Sequence, residues 1–186
     1  MNKDLFYIYQ IKQGDITVFS ELIEKYKDMA FNIAFQICKN TEDAEEVAQD
    51  SFVKIYKSLN DFKGNSKFST WLYSIVYRTA ISKIRKKQIT TVDIDEHYNS
   101  IGDTQEQLSI LKNKEQKKYI EYALNYLSAE DRTIITLYYL ESNSISEISQ
   151  IIGMNDNNIK IRLYRARKLM YSKLEEVLKE DIKSIL

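Results

Sequence analysis

The chain has 186 residues, enough for one large domain or two small ones. Its 27 Lys and Arg balance 27 Asp and Glu, and 44% of residues are hydrophobic, a composition too apolar for a disordered chain. Proline is absent and glycine occurs four times, which excludes the turn-rich all-β sandwiches and barrels and favours long helices.

The single cysteine, Cys38, forms no internal disulfide, so an oxidised secreted scaffold is excluded. No signal-peptide run follows Met1, and no apolar stretch is long enough to span a membrane, so a cytoplasmic protein is expected. The sequence predicts an all-α fold.

In chain order, Gly14 precedes a helix whose apolar positions, Phe19, Leu22, Ile23, Tyr26, Met29, Ala30, Ile33, Ala34 and Ile37, recur at three and four. Cys38 extends this stripe as a packing residue. A second helix is expected from Thr41 as cap, with Ala44, Val47, Ala48, Phe52, Ile55, Tyr56 and Leu59 inward. Its start is acidic: Thr41 to Asp50 holds five acids and no base. A polar loop, Asn60 to Ser69, follows. Ser69 or Thr70 is expected to cap a third helix beginning at Trp71, which ends in a basic block: Arg78 to Lys87 holds five bases and no acid.

Beyond Thr90 the periodicity fails and acids accumulate, which predicts a flexible linker containing His97. A lone histidine without neighbouring ligands predicts no metal site. Helices resume near Lys112. Ser128 opens one, and Ser144-Ile-Ser-Glu147 has the form of a capping box. Gly153 provides a tight turn, and Asn155 can cap a last helix whose stretch from Lys160 to Lys173 holds six bases and no acid. Short helix, glycine turn and capped basic helix form a helix-turn-helix pattern, whose second helix fits the major groove. Ile159, Leu163, Ala166 and Met170 are its inner stripe.

Three blocks then carry a resemblance. They are Asp43-Ala-Glu-Glu-Val-Ala-Gln-Asp-Ser-Phe52, Phe62-Lys-Gly-Asn-Ser-Lys-Phe-Ser-Thr-Trp-Leu-Tyr73 with the basic helix after it, and Leu127 to Arg132 with Ile145 to Ile148 and Ile159 to Arg167. In this order the chain resembles the bacterial sigma-70 family, in its extracytoplasmic-function (ECF) group. The resemblance implies two small helical domains joined by a flexible acidic linker. Residues 1–88 would be region 2, 89–111 the linker and 112–186 the helix-turn-helix of region 4. It implies a sigma factor that binds core RNA polymerase and promoter DNA and starts transcription in a stress or envelope-signal response. An anti-sigma factor is the further partner implied; no small-molecule substrate and no cofactor are expected.

On this resemblance, Asp43, Glu45, Glu46, Gln49 and Asp50 would dock on polymerase, where charge complementarity fixes register. Lys63, Asn65, Ser66, Lys67, Ser69, Tyr73, Tyr77, Arg78, Lys83, Arg85, Lys86 and Lys87 would engage the minus-10 element, the loop taking a base pulled from the stack. Asn157, Asn158, Lys160, Ile161, Arg162, Tyr164, Arg165, Arg167 and Lys168 would engage the minus-35 element. Trp71 is expected to anchor the loop rather than stack on a base. Arg78 stands where the family often has Asn, and Ile161 where it often has Ser. The alternative reading is a helix-turn-helix regulator acting on its own operator. That reading leaves the acidic helix and aromatic loop unexplained. An enzyme is not expected: no phosphate-cradling glycine motif, nucleophile elbow or Cys-His pair is present.

Overall fold

The structure, a computed structural model, describes residues 3–90 and 118–185. Past Thr90 the expected linker, with His97 and the helix start near Lys112, lies outside the described residues. Among those described there is no strand. The helices are α1 (Lys3–Lys12), α2 (Phe19–Cys38), α3 (Thr41–Ser58), α4 (Phe68–Thr90), α5 (118–125), α6 (Ala129–Tyr139), α7 (Ile145–Ile152) and α8 (Asp156–Ile185).

The stripe expected on α2 is its buried face: Leu22, Tyr26, Ala30, Ile33, Ala34 and Ile37. Cys38 is half-buried, and burial pushes its thiol up to about 11, which keeps it protonated and inert at neutral pH. The α2–α3 corner turns on Lys39 in the left-handed region, φ 58°. The cap of α3 is Asn40, one residue before the expected Thr41. Asn40 has the extended backbone of a cap, and its side chain accepts from the Asp43 N–H at 2.8 Å.

Helix α4 begins at Phe68 rather than Trp71. The reason is tertiary. Phe68 is buried among the rings of Tyr26, Phe62 and Trp71, at centroid distances of 5.7, 5.5 and 5.8 Å. The Trp71 N–H already donates to the Lys67 carbonyl at 3.2 Å, so helical turns start before the hydroxyls.

The C-terminal half follows its sequence signals closely. Ser128 caps α6, Ser144 and Glu147 form a reciprocal capping box on α7, and Gly153 takes φ 82° where a side chain would be strained. Asn155 accepts from the Asn158 N–H at 2.8 Å to start α8. Ile159, Leu163 and Ala166 are buried, with Met170 packed beside them.

The two halves pack on each other, a relationship the sequence does not reveal. Helix α4 lies against α7 and α2 against α6, and their apolar residues form one continuous core. Buried Arg132 on α6 donates from Nε to the Gln36 carbonyl at 3.0 Å and from one terminal nitrogen to the Leu127 carbonyl at 3.2 Å. Burial lowers its pKa to about 10, so it remains a cation at neutral pH. Lys39 donates to the Asn125 side chain at 2.6 Å, and Lys67 pairs with Glu147 at 2.7 Å.

Candidate functional site

Three surfaces collect the residues singled out by the sequence. The first is the acidic start of α3. Glu45, Glu46, Gln49 and Asp50 are exposed, because Ala44, Val47 and Ala48 take the inward positions. Asp43 is half-buried and pairs with Lys87 at 2.9 Å and Lys83 at 3.4 Å; Glu46 also pairs with Lys83, at 2.5 Å. Lys87, then Lys83, hold the Asp43 carboxyl below its ordinary range against the opposing effect of burial. Asp43 is therefore a strut between α3 and α4, and the outward face is carried by the acids Glu45 and Asp50 with the neutral amide of Gln49 beside them.

The second surface is the loop into α4 and the helix beyond it. Lys63, Asn65 and Lys67 are exposed, Ser66 and Ser69 half-buried, and Gly64 adopts φ 75° at the loop's bend. Trp71 packs on Phe62 at 5.3 Å and closes the loop's base, the anchoring role expected of it. Two assignments on α4 need correction. Tyr73 and Tyr77 were expected to face DNA, yet both are buried. The Tyr73 ring meets Tyr26 of α2 edge-on at 6.3 Å, and the C-terminal half is close to both tyrosines, with Glu141 acting on Tyr73 and Glu130 and Arg162 on Tyr77. Lys83 and Lys87 also differ from expectation, since both pair with α3. Arg78, Arg85 and Lys86 are exposed.

Arg78 lines a shallow groove of about 270 Å³ with Lys54, Ser58, Thr79 and Ser82. Lys54 donates to the Thr79 hydroxyl at 3.1 Å. Sequence reasoning missed Lys54, because it lies on α3 beyond the acidic run and only the α3–α4 packing brings it to Arg78.

The third surface is the outward side of α8. Asn157, Asn158, Lys160, Ile161, Tyr164, Arg165 and Lys168 are all exposed and lie opposite the buried stripe. Two expected members lie elsewhere. Arg162 flanks the stripe, pairing with Glu130 and Asp131, each at 2.7 Å, so it ties α8 to the start of α6. Arg167 lies on the opposite flank, where it donates to the Leu163 carbonyl at 3.3 Å and to the Tyr139 hydroxyl at 3.4 Å. Arg162 thus makes helix-to-helix contacts, while Arg167 stays exposed with one bond within α8 and one to α6.

Comparison with known proteins bears on what these surfaces serve. Residues 22–89 match the family model for sigma-70 region 2, and residues 117–170 match that for sigma-70 region 4. RNA polymerase sigma factor SigV of Bacillus subtilis is 34% identical over 172 residues, covering 92% of this chain and 98% of that protein. ECF RNA polymerase sigma factor SigW of Bacillus subtilis is 28% identical over 179 residues, covering 91% of this chain and 96% of that protein. In fold, the chain is similar to the sigma factor RpoE of Bartonella quintana, solved with the anti-sigma factor NepR. The TM-score is 0.70 at 22% identity, over 86% of this chain and 98% of that one. CnrH, solved with the cytosolic domain of CnrY, gives a TM-score of 0.63 at 20% identity over 95% and 97% of the two chains. With both regions present in order and a relative of this identity spanning nearly the whole length, the chain belongs to the ECF group of the sigma-70 family of RNA polymerase sigma factors.

Proposed function

We propose that this sigma factor binds core RNA polymerase through the exposed acids of α3 and grips a promoter at two separate places. The loop from Lys63 to Ser69 captures the non-template strand at the minus-10 element, and the outward face of α8 reads the minus-35 duplex. One observation carries this reading. Outward polar and cationic surfaces of different build, a loop pinned by aromatics and the face of a capped helix, stand on different halves of one chain. A helix supplies a rigid face for the major groove, while a loop with free polar side chains suits an extruded base. Arg165 and Lys160 are suited to phosphates or guanine edges, Tyr164 to a phosphate, and Ile161 to a thymine methyl.

Length then demands motion. The minus-10 and minus-35 elements lie about 25 base pairs apart, or about 85 Å of duplex at 3.4 Å per pair. A compact body of this chain length has a radius of gyration of only about 16 Å. Simultaneous reading therefore requires α7 to leave α4, which also releases Lys67 from Glu147.

By likeness to the RpoE complex with the anti-sigma factor NepR, an anti-sigma factor is the further partner of this reading. Among the described residues no helix is long and apolar enough to cross a membrane, and the reading places the protein at cytoplasmic DNA. Transcription of DNA fragments by purified core polymerase tests the proposal. Adding the chain is expected to yield run-off products from specific promoters. Tight binding of duplex DNA by the chain alone, with no promoter-specific initiation, would favour a regulator acting on its own operator.

A further inference from the structure

Helix α1 lies before the segment matched by the region 2 model, and the sequence gives it no role. We propose that α1 is a positioning element for the strand-capture loop, with Lys12 as its clip; this rests on the role proposed above for residues 63–69.

The helix reaches both ends of that loop. At the entry, the Lys12 ammonium donates to the Phe62 carbonyl at 3.1 Å and the Asn60 carbonyl at 3.4 Å. These carbonyls close the 3-10 turn Leu59–Asp61, from which the chain runs directly into Lys63. A cation at the carbonyl end of a helical turn satisfies acceptors that have no partner further along the helix. At the exit, buried Asp4 accepts from the Tyr26 hydroxyl at 2.8 Å and pairs with Lys25. The Tyr26 ring meets Phe68, the first residue of α4, edge-on at 5.7 Å. Burial and then Asp4 raise the Tyr26 pKa, so its hydroxyl stays a donor over the whole physiological range. Buried Ile8 docks α1 between these two contacts.

The loop itself has little to hold it. Gly64 occupies the left-handed region, and within the loop the Ser66 hydroxyl donates to the Lys67 carbonyl at 3.2 Å. Lys67 also pairs with Glu147 on α7, and once the halves part the loop's direction is set by the two rings at its base and by whatever fixes them. Lys12 acts on Phe62 and Asp4 acts on Phe68 through Tyr26. Neither touches the strand, so both are positioning residues.

The test uses holoenzyme assembled from core polymerase and the full chain. The probe is a fluorescent single-stranded oligonucleotide with the non-template sequence of a promoter mapped from transcripts after forced expression. Lys12→Met keeps the aliphatic stem and removes the donor. It is expected to weaken capture of the oligonucleotide about three- to tenfold, because the two lost hydrogen bonds act on the strand only through the loop. Minus-35 duplex binding and thermal midpoint should stay at the wild-type level, and Lys12→Arg should restore capture. The slope of affinity against salt should not change, whereas a lost phosphate contact lowers it by about one. Asn65→Ala should also weaken capture, and the double variant should lose no more than the worse single one. Impairment by Asn65→Ala with wild-type capture by Lys12→Met overturns the clip and leaves the loop reading intact. Wild-type capture by both variants overturns the loop reading together with the clip. A reduced salt slope, or additive losses in the double variant, overturns the clip because Lys12 would then act on DNA directly or by a separate route.

Discussion

In the function proposed above, the two halves offer polar groups to a nucleic acid with opposite materials. The C-terminal half uses a helix of 30 residues, started by Asn155 and seated by Ile159, Leu163 and Ala166, so every outward side chain has a fixed register. The N-terminal half uses a short loop whose ends are fixed by Phe62, Phe68 and Trp71 while Asn65 and Lys67 project from its middle. A regular duplex rewards the first design. A single base leaving its stack rewards the second, because its capture depends on a few groups placed correctly rather than on a long matching face.

Both halves also divide their cations into two kinds. Some project outward, and others fasten helices together: Lys83 and Lys87 hold Asp43 across α3 and α4, and Arg162 holds Glu130 and Asp131 across α6 and α8. The sharpest way to break this distinction compares two arginines on one helix. Arg165→Ala removes an outward contact and is expected to weaken minus-35 duplex binding by about 1–3 kcal/mol while leaving the unfolding midpoint unchanged. Arg162→Ala should do the reverse: a loss of about 1 kcal/mol in stability, with the salt dependence of DNA binding retained. Titration of labelled duplex over a salt series, paired with urea unfolding, separates the two. If Arg162→Ala lowers the salt slope and Arg165→Ala does not, the assignment of faces is inverted.

A smaller effect sharpens the contact between halves. Burial raises the pKa of Glu147, but the hydrogen bonds from Lys67 and Ser144 outweigh it and set the carboxyl below its ordinary value. A depressed carboxylate stabilises above the unfolded-state pKa of about 4.3, and that contribution is lost as pH falls through the folded value. Glu147→Gln is therefore expected to cost about 0.5–1 kcal/mol at pH 7 and nothing once the pH lies below the folded value. A cost that persists undiminished in acid would show that the ion pair and charged cap contribute nothing.

Much of this architecture was legible in the sequence for physical reasons. The α2 stripe, the capping box at Ser144, the turn at Gly153 and the cap at Asn155 are local signals, each decided by residues three or four apart, and the structure follows them. The helix-turn-helix and its inner stripe came through for the same cause. What could not be read was anything decided by a neighbour distant in the chain. Helix α4 starts at Phe68 because Tyr26 and Phe62 bury that ring. Tyr73 is inside because it packs on Tyr26 of α2, and Tyr77 is buried on the same helix with Glu130 and Arg162 of the C-terminal half near it; a tyrosine on an amphipathic helix carries no mark of which partner will cover it. Arg162 read as one more base in a basic run, although an acidic pair, Glu130 and Asp131, stood ready in the first turn of α6. Lys12 gave no signal at all, since its partners are backbone carbonyls.

If one promoter is read at both elements, halves packed together in the free chain must part. Energy transfer between dyes at exposed positions on the two halves, introduced as Lys57→Cys and Glu175→Cys in a Cys38→Ser background, tests it directly. Efficient transfer is expected in the free chain, and its collapse in the open promoter complex with core polymerase, where the two elements lie about 85 Å apart. Transfer that stays equally efficient in an open complex, with both elements bound, would contradict it.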